Sequence, residues 1–97
     1  MRVIAEKTLR LFWEKHADAR GSLESWLDHV KRSHWKNPAE LSKDYGEDVI
    51  LPHNRAVFKI KGNQYRLIVQ IHYKSSICFI RFIGTHAEYD RIDVMKV

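Results

Sequence analysis

His86 and Tyr89 stand three residues apart in the run Thr85-His86-Ala87-Glu88-Tyr89, a spacing that puts both rings on one face if the segment is helical. An imidazole that titrates near neutral pH and a phenol can between them exchange two protons. Arg81 lies five residues before His86, and Arg55, Lys59, Lys61, Arg66 and Lys74 precede it. Together these groups are what cleavage of RNA by internal attack of the 2′-OH requires. One group accepts the 2′-OH proton, another protonates the 5′-oxygen leaving group, and cations hold the extra negative charge on phosphorus. No metal or other cofactor is needed. Alone, a His and a Tyr on a terminal turn more often serve packing or capping than catalysis, so the weight comes from the charge around them.

That charge is unevenly placed. The chain carries 17 Lys and Arg against 12 Asp and Glu, a net +5. Residues 1–48 hold nine of each sign, so the second half carries the whole excess. Between Asp48 and Glu88 there is no acidic residue at all, where average spacing would place about five. A basic balance of this kind favours a polyanionic partner.

Other chemistries fall away. Cys78, the single cysteine, sits between Ile77 and Phe79, which predicts a buried reduced thiol and excludes a disulfide or a cysteine zinc site. His29 and His34 are five apart and no H-E-x-x-H occurs, so zinc ligation has no support. The four glycines are scattered singly, which removes a glycine-rich phosphate loop. No run approaches the roughly 20 apolar residues of a membrane helix, and charged Glu6 and Lys7 follow Ile4 closely. A cytoplasmic protein with no membrane partner is expected.

These groups need a scaffold, and at 97 residues one domain is expected to supply it. Met1–Ala5 reads as a short strand. Leu9, Phe12, Trp13 and His16 form one face of a helix that starts near Glu6. After a break at Asp18–Gly21, Ser22 is the expected N-cap of a second helix with the stripe Leu23, Trp26, Leu27 and Val30, closing near His34. Asn37-Pro38-Ala39-Glu40 predicts one short helical turn before the polar run Ser42–Asp48. Val49–Leu51, Ala56–Ile60, Tyr65–Tyr73 and Ile77–Ile83 read as a meander of antiparallel strands. Thr85 to Glu88 then fits a capping box. The expected class is α+β, an N-terminal helical hairpin packed on a four- to five-stranded, mainly antiparallel sheet with a short C-terminal helical turn.

The pleat sorts the strand residues. With Gly62-Asn63 as a two-residue turn, Lys61 pairs with Gln64, Lys59 with Arg66, Val57 with Ile68 and Arg55 with Gln70, each pair on one side. With Lys74-Ser75 as the next turn, Gln70 faces Phe79 and Ile68 faces Arg81, a parity that a longer turn would flip. The opposite face collects Ala56, Phe58, Ile60, Tyr65, Leu67, Val69, Ile71, Cys78, Ile80 and Phe82 and becomes the core. A basic face is thereby expected toward solvent. One or two outward cations on strands are ordinary edge protection, but Lys59 directly opposite Arg66 is destabilising unless an anion sits between them.

The segments Asn54-Arg55-Ala56-Val57-Phe58-Lys59-Ile60-Lys61-Gly62-Asn63-Gln64-Tyr65-Arg66-Leu67-Ile68 and Phe79 to Asp90 resemble the HigB toxins. These are ribosome-dependent mRNA interferases of type II toxin–antitoxin systems, within the RelE-like group. The G-N-x-Y-R-L and G-T-H-x-x-Y-D stretches carry the likeness, which covers nearly the whole chain. It implies a RelE-like toxin domain over residues 1–97, an endoribonuclease that cuts mRNA in the A site of the 70S ribosome. A helix-turn-helix antitoxin of the HigA type would silence it. On matching positions, Lys61, Arg66 and Arg81 would hold the scissile phosphate, and His86 and Tyr89 would transfer protons. Arg55, Lys59, Asn63 and Gln70 are the expected RNA contacts. The family often has Asn where this chain has Lys59, which leaves open whether Lys59 is catalytic or an added phosphate contact. The competing reading is an RNA- or ribosome-binding module that cuts nothing.

Overall fold

The computed structural model describes all 97 residues. Strand β1 (Arg2–Ile4) leads into helix α1 (Glu6–Lys15), and α2 (Arg20–Arg32) and α3 (Pro38–Tyr45) follow. Then come β2 (Ile50–Leu51), β3 (Arg55–Ile60), β4 (Tyr65–His72), β5 (Ile77–Thr85) and the short α4 (His86–Tyr89). The strands form one sheet in the order β1-β5-β4-β3-β2, with β1 parallel to β5 and every other pair antiparallel. The expected α+β class stands, as a five-stranded mixed sheet.

The helices depart from expectation at their ends. Ser22 does not cap α2: a 3-10 turn at Ala17–Ala19 runs straight into it, and the Arg20 N–H bonds to the Ala17 carbonyl. The turn satisfies the helix start through backbone alone, so no side-chain cap is required. Helix α3 is a full eight residues rather than a single turn. Asn37 caps it by accepting from the Glu40 N–H at 3.0 Å. Leu41 and Tyr45, four apart, give it an inward anchor that the polar run conceals. Leu41 is fully buried, and the Tyr45 ring meets Phe58 edge-on at 4.9 Å.

One cluster joins the two layers. Leu9 of α1 and the whole α2 stripe, Leu23, Trp26, Leu27 and Val30, pack with Ala56, Phe58, Ile60, Tyr65, Leu67, Val69, Ile71 and Cys78 of the sheet. Burial of this area is the main force that fixes the helices to one face. The first hairpin holds its expected register: Arg55 opposite Gln70, Val57 opposite Ile68, Lys59 opposite Arg66.

Between β4 and β5 the register is as expected from His72–Ile77 to Val69–Ile80, and then it shifts, with Ile68 opposite Phe82. Arg81 is the extra residue of a β-bulge and does not face Ile68. A bulge reverses the parity of everything beyond it. Phe82 therefore leaves the expected core face and Ile83 packs against the core in its place.

Candidate functional site

The outer face of the sheet divides into two groups of residues. The first is built where β4, β5 and α4 meet. Arg66 lies between Lys59 on β3 and Gly84 on β5. Its guanidinium carbon is 5.5 Å from the centre of the Tyr89 ring, and its Nη1 donates to the Asn63 carbonyl at 3.0 Å. Arg66 is 8% exposed, so the sheet does not simply present its charge to solvent as expected. A buried guanidinium with five donors and no carboxylate partner is costly unless an anion completes it. None of the chain's ion pairs involves Arg66 or the facing Lys59.

Helix α4 is fixed against this arginine. Thr85 accepts from the Glu88 N–H at 3.1 Å and Glu88 accepts from the Thr85 N–H at 2.8 Å, the expected capping box. The Thr85 backbone bond, and then its side-chain bond, hold the Glu88 carboxyl below its ordinary value. The His86 N–H also donates to the Gln64 carbonyl at 3.0 Å, which ties the start of α4 to the β3–β4 loop. Gly84 makes room for a ring here: a Cβ at that position would stand 2.6 Å from the far end of Phe82, which would have to shift.

Tyr89 meets Arg66, and His86 stands three residues before Tyr89 at the start of the same helix. Asp90 is a residue the sequence reading missed: its Oδ2 is 3.0 Å from His86 Nδ1. A carboxylate only accepts, so Nδ1 carries the proton of this bond, and in the neutral ring the lone pair is then on Nε2. The spacing of four between His86 and Asp90 was a legible signal.

Lys61 is not on this face. It adopts φ +51° and Gly62 φ +64°, so Ile60–Tyr65 is the last pair and residues 61–64 form the loop. The Gln64 N–H still donates to the Lys61 carbonyl at 3.3 Å, which closes the expected Gly62-Asn63 turn. The Lys61 Nζ donates to Asp18 Oδ2 at 2.9 Å, while the Tyr65 hydroxyl donates to Oδ1 at 2.6 Å. The bond from Tyr65, and then that from Lys61, hold the Asp18 carboxyl below its ordinary value. Asp18 is 43 residues from Lys61, and no local pattern foretells the contact.

The second group is Arg55, Arg81 and Gln70, about four residues or roughly 13 Å along β4 from Arg66. Arg55 is 8% exposed. Its Nη1 at 2.6 Å and Arg81 Nε at 3.2 Å both donate to the main-chain oxygen of Val97. The segment after α4 thus returns across this end of the face. Arg81 reaches the oxygen from the bulge, so it shares Arg55's surroundings and not those of Arg66. Asn63 enters the first group through its carbonyl, and Gln70 pairs with Arg55 and Phe79 in the sheet.

A cleft of about 650 Å³ opens around the edge of β3, with Lys59 and Arg66 among its lining residues. Cys78 is buried and reduced as expected, and burial pushes its thiol up to about 12. No helix is long and apolar enough to cross a membrane.

Three relatives share the likeness: the mRNA interferase toxin HigB of Escherichia coli strain K12, and the mRNA interferases HigB of Escherichia coli O157:H7 and Shigella flexneri. Each is 26% identical over 92 residues, which covers 93% of this chain and 88% of the relative. The family described as HigB_toxin, RelE-like toxic component of a toxin-antitoxin system, matches residues 19–92. With a match over most of its length, the strands β2 to β5 and α4 included, the chain belongs to the HigB toxin family.

Proposed function

We propose that this protein is the toxin of a toxin–antitoxin pair and acts as an endoribonuclease on mRNA held in the A site of the translating ribosome. The relatives' names supply the class of reaction. The observation that carries it to this chain is the nearly buried Arg66 with no counter-ion, set beside Tyr89 of the helix that begins with His86. A scissile phosphate completes the charge of Arg66 and relieves the repulsion between Arg66 and Lys59.

In the mechanism that follows, His86 Nε2 accepts the 2′-OH proton as Asp90 holds the imidazole through Nδ1. The 2′-oxygen attacks phosphorus, and Arg66 takes up the developing charge on the non-bridging oxygens. Tyr89 gives its proton to the departing 5′-oxygen, and a 2′,3′-cyclic phosphate is left on the upstream fragment. Lys59 contacts a neighbouring phosphate. Arg55, Arg81 and Gln70 bind RNA further along β4, and Lys61 reaches the backbone when it exchanges Asp18 for phosphate. A helix-turn-helix antitoxin is the partner that silences the reaction.

Primer extension on an mRNA translated by purified 70S ribosomes tests the reading. Discrete cuts within codons are expected with the parent, and cuts weaker by roughly 100-fold or more with Arg66→Ala. RNA that is bound but stays whole with the parent would make the protein a binding module.

A further inference from the structure

We propose that the cleft around the open edge of β3 is a nucleobase subsite, which takes the base of a nucleotide adjacent to the one whose phosphate lies on Arg66. This rests on the ribonuclease reading above. The cleft exists because β2 pairs only with Arg55 and Ala56, so β3 has no neighbour on that side from Val57 onward. It therefore wraps the sheet edge, with the core-face residue Phe58 at its floor and the outer-face residues Lys59 and Arg66 at its mouth.

Its floor is aromatic. Trp26 and Tyr45 both line it, and both meet Phe58 edge-on, at 5.3 Å and 4.9 Å. At about 650 Å³ the cleft falls in the size range of small-ligand sites. Aromatic walls beneath a cationic rim suit an unstacked base whose backbone stays outside.

Trp26 supplies an independent observation. It is 5% exposed, and its Nε1 is the chain's sole buried side-chain polar atom without a hydrogen-bond partner. A buried donor left unpaired asks for an acceptor. The indole N–H only donates and is shut off from solvent as Trp26 stands, so the carbonyl oxygen or ring nitrogen of a base completes it when the ring turns toward the cleft. Ser25 and Asp48 on the same wall can accept from exocyclic amines. The cations at the mouth favour a polyanion over an acidic-poor protein segment.

The test follows the indole N–H signals of the three tryptophans in the full chain, with that of Trp26 assigned by Trp26→Phe. A 2′-O-methyl trinucleotide, which cannot undergo internal attack, is titrated in to millimolar concentration. The Trp26 signal is expected to move while those of Trp13 and Trp35 stay. Movement of the Trp13 or Trp35 signal without that of Trp26, or no movement at all, overturns the subsite. So does a Trp26 signal that responds to the antitoxin and not to the trinucleotide. In parallel, Ser25→Trp fills the cleft from an exposed position on α2. It is expected to lower cleavage of translated mRNA about tenfold, the scale of one lost base stack, and to shift the distribution of cut sites. Unchanged rate and sites overturn the subsite and leave the ribonuclease reading intact. A parent that cuts nothing fails that reading instead, and the titration still decides the cleft.

Discussion

The guanidinium of Arg66 lies over the ring of Tyr89, 5.5 Å from its centre. One residue on a central strand thus meets one on the terminal turn, and the phenol and the charge act at the same point. Arg66→Ala is expected to lower cleavage by roughly 100-fold or more, the scale of a lost charge-stabilising donor. Tyr89→Phe keeps the ring against Arg66 and removes only the proton, so it separates the two contributions. Primer extension on translated mRNA, alongside growth after induction, measures both.

His86 and Asp90 are predicted to act as a unit. His86→Ala is expected to lose about 100-fold or more in cleavage, the contribution of one positioned proton-transfer group. Asp90→Asn is expected to fall short of that, because it disturbs the orientation of the ring and leaves it in place. In the double variant Asp90→Asn adds little to His86→Ala. Single-turnover cleavage rates of the four proteins check this non-additivity.

Gly84 has its Cβ space filled by Phe82. Gly84→Ala must displace that ring or the α4 junction beside it. The expected loss is about 1–3 kcal/mol, a fall in Tm of roughly 4–8 °C per kcal/mol for a chain of this size. Thermal unfolding followed by circular dichroism measures it, and Gly21→Ala, with open space around it, serves as the control.

The Asp18 carboxyl is held below its ordinary 3.8, chiefly by the Tyr65 hydroxyl and then by Lys61. A depressed carboxyl contributes stability that is present above the unfolded value and is lost as pH falls through the folded one. Asp18→Asn is therefore expected to lower Tm at neutral pH, with a difference from the parent that closes as the solution is taken below pH 3.8. Melting curves across the acid range test this.

At the alkaline end the sign is opposite. Burial pushes Cys78 from 9.0 and Tyr45 from 10.0 up to about 12. Both groups ionise more readily in the unfolded chain, so stability is expected to fall as pH rises from 9. Cys78→Ala opens a small cavity yet removes one source of this slope. Cys78 should also react with a thiol reagent at pH 8 only as fast as the protein opens.

Local pattern determined a good deal of this protein. The apolar stripes of α1 and α2, the first-hairpin register and the Thr85–Glu88 capping box all depend on residues close in sequence, where period and turn chemistry govern. The same locality made the approach of Tyr89 to Arg66 readable, since β4, β5 and α4 follow one another. Asp90 was legible at its spacing of four and was passed over. Only the tertiary structure decided the rest. The bulge at Arg81 reverses parity through a shift in backbone pairing that side-chain types do not encode. Left-handed Lys61 is turned to Asp18, 43 residues away, and Val97 returns to Arg55 across 42. The unpaired edge of β3 exists because β2 stops after two residues. Each of these is a long-range contact, fixed by where the packed layers bring the chain back on itself.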